Sequence, residues 1–243
     1  MNKLILSTAV LALSAGMALA QSQTIRMGTE GTYPPYNFLN DKGEVDGFER
    51  ELGDELCVRA ELTCEWVTTD WDGIIPNLTS SNFDTIIAGM SITAERAEVI
   101  AFTQNYMPPA ASAYVGLTAD VDVTTGVIAA QASTIQAGHV ASGTEATLLE
   151  FATPEETVAS VRNGEADAVF ADKDYLIPLV EESGGSLTFI GDDVPLGGGI
   201  GMGLRQSDTE LRDTFDAAIQ SMKDDGTLNT LILKWFGDDA ATF

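Results

Sequence analysis

The segment Gly89-Met90-Ser91-Ile92-Thr93-Ala94-Glu95-Arg96 brings together residue types that fit one job, gripping an anion. Thr93 is placed to cap a short helix, its hydroxyl accepting from the amide of Arg96 three residues on. Ser91, Thr93 and Arg96 then gather at a helix N-terminus, where free N–H groups and the dipole favour negative charge. The planar guanidinium of Arg96 can hold a carboxylate through two parallel hydrogen bonds. A surface Arg on an ordinary capped turn has the same spacing, and the segment alone leaves both readings open. Covalent and metal chemistry have less to work with. His139 is the only histidine, and no Cys/His/Asp group has metal-ligand spacing. No Gly-x-Ser-x-Gly elbow or Cys–His pairing is present. The run from Gly197 to Leu204 is dense in glycine, but it lacks the Lys-Ser/Thr of a phosphate loop and the acid of a dinucleotide site. Neither catalytic residues nor a metal or cofactor are expected.

The elements that must position these residues alternate between strand and helix, which argues an α/β fold. Thr24–Thr29 reads as a first strand, and Glu30-Gly31-Thr32-Tyr33-Pro34-Pro35-Tyr36 as the loop leaving it, held extended by Pro-Pro. Residues 40–44 read as a turn. Phe48–Arg59 is predicted helical, with Phe48, Leu52 and Leu56 on one face, and Leu62–Val67 is a strand. A further helix begins near Trp71, which reads as a core or staple residue at its mouth. Thr85–Ala88 is a short strand leading into the Gly89–Arg96 segment. Val127–Ala130 is a strand whose end, from Gln131 to Gln136, opens a helix. Thr153-Pro154-Glu155-Glu156 is a capped helix start. Ala166–Asp172 is a buried strand ending in an acid. Asp172 there is either the N-cap of the helix Lys173–Glu182 or an acid aimed into a site. Asp208–Asp225 places Leu211, Phe215, Ile219 and Met222 on one stripe, and Thr227–Phe236 is the last helix.

The 243 residues carry 37 acids against 12 basic side chains, a net charge of −25. That balance excludes nucleic acid as a partner and disfavours an anionic membrane surface. It fits either plain solubility or attraction of cationic solutes. Met1-Asn2-Lys3, the apolar run to Leu19 and Ala18-Leu19-Ala20 read as a signal peptide over residues 1–20, so the protein is expected to be exported. No other stretch has the roughly 18 apolar residues of a membrane span. Cys57 and Cys64, seven positions apart in an exported chain, read as a local disulfide.

The Tyr-Pro-Pro loop, the Gly47-Phe48-Glu49 helix start, the Gly89–Arg96 segment and the Gly-x-x-Asp-Ala-Val-x-x-Asp run from Gly164 to Asp172 occur in one order. That order resembles the periplasmic polar amino-acid-binding proteins of ABC importers, and is similar to the histidine and lysine/arginine/ornithine binders among them. The resemblance implies a two-lobe periplasmic-binding-protein fold of type II with two crossover strands. Residues 21–108 plus 205–243 would form one lobe and 109–204 the other, with the ligand between them. Arg96, helped by amides near Thr93 and Thr134, would hold the carboxylate of an amino acid. Asp172, with Ser91 and the Gly89 carbonyl, would hold its ammonium. Tyr33 and Trp71 would sandwich the ligand side chain, with Glu30 close by. Ser133 and Thr134 match the family's βα junction, although Ala132 stands where glycine is usual, and Ile135 is left out of the implied site. An acid at Glu30 implies a basic amino acid or a derivative. The alternatives are an acidic or amide amino acid, or a cyclohexadienyl dehydratase-like enzyme on the same scaffold. The implied partners are the amino acid and an inner-membrane permease, for a monomer working in the periplasm.

Overall fold

Ile25–Thr29 (β1) buries Ile25, Met27 and Thr29, and it stands second in a five-stranded sheet. The computed structural model describes residues 24–243, so the expected signal peptide lies outside the described residues. Thr32–Tyr33 (β2), Asn37–Leu39 (β3) and Val45–Asp46 (β4) follow as a small antiparallel sheet. The sequence gives this stretch as loop and turn. Pro-Pro does interrupt it, but Phe38 pairs with Thr32 on one side and Asp46 on the other. Phe48–Arg59 (α1) starts and ends where its pattern predicts, with Phe48, Leu52 and Leu56 buried.

Cys64–Thr68 (β5) runs parallel to β1. A 3-10 turn at Trp71–Gly73 precedes Ile74–Thr79 (α2), Thr85–Ile86 (β6), Ala94–Ala97 (α3) and Ala101–Met107 (β7). The chain then enters a second sheet through Ala111–Gly116 (β8), Val127–Gln131 (β9), Ile135–Gly143 (α4) and Thr147–Phe151 (β10). Pro154–Arg162 (α5), Ala168–Asp172 (β11), Lys173–Glu182 (α6) and Thr188–Pro195 (β12) complete it. Ile200–Leu204 (β13), Thr209–Asp224 (α7) and Thr227–Phe236 (α8) return to the first.

The strand orders are β5-β1-β6-β13-β7 and β10-β9-β11-β8-β12. Each sheet is parallel where strands alternate with helices and antiparallel around the crossover strands. Helices must cover both faces of such a sheet. In the first sheet, Phe48, Leu52, Phe215 and Ile219 pack on one side and Ile74, Leu78, Phe83 and Ile100 on the other. The second has its own pair of cores, around Val158 and Leu176 and around Phe170 and Val140. Two sheets with separate cores make two lobes. β13, counted with residues 109–204 in the expected division, pairs with β6 and β7 of the first sheet. Its glycines allow this close seating: a Cβ on Gly201 would lie 2.9 Å from Ile92, and one on Gly203 would lie 3.0 Å from Ile100. Among the described residues, no helix is long and apolar enough to cross a membrane.

The predicted caps form: the hydroxyl of Thr93 accepts from Arg96 N at 3.1 Å, and Thr153 and Glu156 make a reciprocal capping box. Cys57 and Cys64 are bridged, tying α1 to β5 with a Cα–Cα distance of 6.3 Å. A loop this short is stabilised by about 2.5 kcal/mol in the chain-entropy model. Replacing both cysteines by serine is expected to lower unfolding free energy by about that amount. Urea denaturation measures the loss, and no change in midpoint would show that the bridge constrains little.

Candidate functional site

The carboxyl ends of parallel strands gather loops and helix N-termini into one crevice, where ligands of open α/β sheets bind. Here β1, β6, β9 and β11 all end at a small cavity between the two lobes. From the first lobe come Glu30 just after β1, Tyr33 in β2, Trp71 in the 3-10 turn, Gly89 and Ser91 after β6, and Arg96 on α3. From the second come Gln131 at the end of β9, Thr134, Ile135 and Gln136 where α4 begins, and Asp172 at the end of β11. Eight of the ten expected site residues therefore meet in one place.

Thr93 and Ser133 do not line this cavity; with Arg96 and Thr134 they border a neighbouring groove. Thr93 has its hydroxyl committed as a helix cap. Ser133 is turned by a φ of +59°, and its carbonyl accepts from Arg96 Nη2 at 3.2 Å. Ser91, expected beside an ammonium, gives its carbonyl to Arg96 Nη1 at 2.9 Å. Four lining residues, Ala88, Gln131, Ile135 and Gln136, escaped sequence reasoning. Gln131 and Gln136 carry no charge to mark them, and Ile135 reads as an ordinary helix residue. The available signal was a polar side chain, Gln131, closing the otherwise apolar strand Val127-Ile128-Ala129-Ala130.

The first wall is held by a buried acid. Glu49 Oε1 accepts from Gly89 N at 2.6 Å and from the hydroxyl of Tyr106, and Oε2 accepts from Asn37 Nδ2 at 2.6 Å. Asn37 Oδ1 in turn accepts from Gly31 N at 2.7 Å, beside Glu30. Gly89 has a φ of +61°, in the left-handed region that favours glycine. On the second wall, Gln136 Nε2 donates to Ser112 Oγ at 3.0 Å and to Asp172 Oδ1 at 2.9 Å. Thr134 caps α4, accepting from Ala137 N at 3.1 Å, so the first amides of that helix have no intrahelical acceptor.

The walls touch through polar groups. Gln131 Nε2 donates to Glu30 Oε1 at 2.6 Å, and Tyr33 Oη donates to Asp172 Oδ2 at 2.8 Å. Tyr36 Oη donates to Asp174 Oδ2 at 3.1 Å. The Tyr33 ring lies flat on Tyr175 at 4.5 Å between centroids, and Trp71 lies 5.4 Å from the Arg96 guanidinium.

Burial dominates the charges here. It lowers Arg96 to about 10 while Asp172 and Glu95 oppose it, so the guanidinium stays charged at neutral pH. Burial raises Asp172 to about 6, the hydrogen bond from Tyr33 pulling the other way. Burial also raises Glu30 to about 7, against the bond from Gln131. One cation and two carboxylates thus face a small shared space. A ligand carrying charges of both signs can pair there, which avoids the cost of a lone buried ion. Among the described residues, no group of three or more His, Cys, Asp or Glu is placed to hold a metal.

Residues 25–238 match the model of the bacterial extracellular solute-binding proteins, family 3. The chain belongs to that family. It is 32% identical to an octopine-binding periplasmic protein of Rhizobium meliloti, over 95% of this chain and 96% of that one. It is also 32% identical to the histidine-binding periplasmic protein of Escherichia coli (strain K12), over 98% of each. Among solved structures, a periplasmic His/Glu/Gln/Arg/opine family-binding protein from Silicibacter pomeroyi, in complex with lysine, is 73% identical. It superposes with a TM-score of 0.89, over 90% of this chain and 100% of that one. The family 3 relatives explain why the cavity lies where it does: an extracellular solute-binding protein needs a crevice two lobes can share.

The raised acids set a pH dependence for the ligand-free solute-binding protein. A carboxylate raised on folding leaves the folded state holding a proton that the unfolded chain has already released. The stability that Glu30 and Asp172 contribute is therefore present in the ordinary carboxylate range and lost as pH climbs through about 6 and about 7. Asp84, lowered by its arginine partners against the effect of burial, acts only below its usual range and leaves this window alone. Tm should fall between about pH 5 and about pH 8, and less so in Glu30→Gln. Identical thermal profiles for the two proteins would contradict the assignment.

Proposed function

We propose that this protein captures a basic amino acid, or a derivative of one, in the periplasm and delivers it to the permease of an ABC importer. The observation that carries this is the charge count of the cavity. Arg96 and Asp172 suffice for the carboxylate and ammonium common to every amino acid. Glu30 is a second acid in the same space, and a ligand with a cationic side chain answers it. Trp71 and Tyr33 supply apolar and aromatic surface for the intervening methylenes, and cation–π attraction adds to the pairing. Relatives that bind octopine, histidine and lysine support the same class. Arg96 belongs to one lobe and Asp172 to the other, so a zwitterion also ties the lobes together. The protein would act as a monomer after removal of residues 1–20.

An acidic amino acid would bring a further carboxylate towards Glu30, and an amide one would leave that acid unpaired or protonated. The enzyme reading needs an acid/base positioned against a substrate. The raised acids of the cavity are instead committed to Gln131, Tyr33 and Gln136. Incubation with a cyclohexadienyl acid should give no turnover.

A thermal-shift screen comparing lysine, arginine, histidine, glutamine and glutamate tests the ligand class. Basic amino acids should raise Tm most; glutamate or glutamine binding tightly while every basic one fails would overturn the reading. Arg96→Ala should fold but lose roughly 3–5 kcal/mol of binding energy, since a carboxylate is left unpaired in a desolvated cleft. Calorimetry on the folded variant reads this directly, and near-normal affinity would remove Arg96 from the site. Asp172→Asn should weaken zwitterions more than ligands without an ammonium. Equal losses would leave Asp172 as a structural residue at the start of α6.

A further inference from the structure

Gln131 closes β9 with its side chain on the cavity wall, and its amide nitrogen is fully committed. One Nε2 hydrogen goes to Glu30 Oε1 at 2.6 Å, across the gap between lobes. The other goes to the carbonyl of Ala152 at 3.1 Å, within its own lobe. An amide has two donor hydrogens on nitrogen and an acceptor oxygen, so these two bonds also fix which way the oxygen faces. The backbone is pinned as well, because the Gln131 carbonyl accepts from the Thr134 hydroxyl at 2.6 Å. The side-chain oxygen takes no hydrogen bond from any described residue, and it is not among the atoms sealed away without a partner. Gln131 itself lines the cavity, with its amide against the carboxylate of Glu30.

We propose that Gln131 is a specificity-determining residue: its fixed side-chain oxygen is a second acceptor, beside Glu30, for the distal cationic group of the ligand. This deepens the basic-ligand reading and rests on it. An ammonium carries three donors and a guanidinium five, and one carboxylate cannot satisfy them all in a desolvated pocket. Glu30 stands on the first lobe and Gln131 on the second. A distal cation that meets both acceptors does so only when the lobes are together. A ligand lacking that cation gains nothing from Gln131, whereas lysine or arginine stabilises the joined form through its side chain as well as its α groups. Gln131 thus makes side-chain recognition part of closure.

Calorimetry with lysine, arginine and norleucine separates the outcomes, norleucine having an unbranched apolar chain with no distal charge. Gln131→Met keeps the length and removes both polar atoms; Gln131→Asn keeps the amide and withdraws it by one methylene. Each variant should lose about ten- to 150-fold more affinity for lysine and arginine than for norleucine, the range for a hydrogen bond to a charged group. Loss of the same factor for all three ligands would overturn the proposal, since it would mark a contact that serves only closure. No loss for any ligand would overturn it too. Wild-type protein that binds none of the basic amino acids would remove the ligand class itself, and this inference with it. Having two variants guards against a failure to fold, which the Tm of each ligand-free protein reports.

Discussion

The carboxylate of Glu49 is buried in the first lobe with neutral donors as its partners, and two loops of the cavity take their places from it. Burial pushes its pKa up, while Tyr106, Gly89 and Asn37 pull against that. Removing one of those donors would leave a buried acid partly unsatisfied, a cost of about 1–3 kcal/mol and more for a charged group. The arrangement explains why the loop at Gly89 and the loop at Gly31 keep fixed positions although neither belongs to a long strand. Gln136 does the equivalent work on the other wall, holding Asp172 between itself and the Tyr33 hydroxyl. Within each lobe, the bonds of Glu49 to Gly89 and Asn37 and of Gln136 to Asp172 orient part of the cavity wall, which reduces the ordering left for binding.

Electrostatics in the cavity follow from that preorganisation. Arg96 is held by two carbonyls, one from each lobe, so its charge is oriented without being neutralised. Asp172 and Glu30 are held by neutral donors in the same manner. Neutral partners position an ion and leave its charge available to a ligand; an ion pair within the protein would have cancelled it.

Much of the fold was legible because its signals are local. The cap at Thr93, the capping box at Thr153, the stripe on α7 and the bounds of α1, α6 and α8 follow from residue spacing within a turn or two. Sheet membership is not local. β13 has the glycines of a closely packed strand, but only its partners, β6 and β7, decide which sheet it joins. In the site, charged and aromatic residues stood out and converged on the cavity. Glutamines did not, because an amide acts through geometry that spacing does not display. Thr93 and Ser133 stand beside the cavity and outside its lining: the Thr93 hydroxyl caps α3, and the Ser133 carbonyl accepts from Arg96.

The aromatic seam has an optical consequence. Tyr33 has Tyr36 at 5.8 Å and Tyr175 at 4.5 Å between ring centroids, and only the second of these neighbours belongs to the other lobe. Two of the rings also donate their hydroxyls across the gap, to Asp172 and Asp174. Near-ultraviolet circular dichroism arises from aromatic rings locked in asymmetric surroundings. Parting the lobes would unstack one face of Tyr33 and free two phenol hydroxyls, while the helices and sheets that dominate the far-ultraviolet signal stayed intact. The molecule thus carries its own chromophore for the angle between its halves, with no label attached.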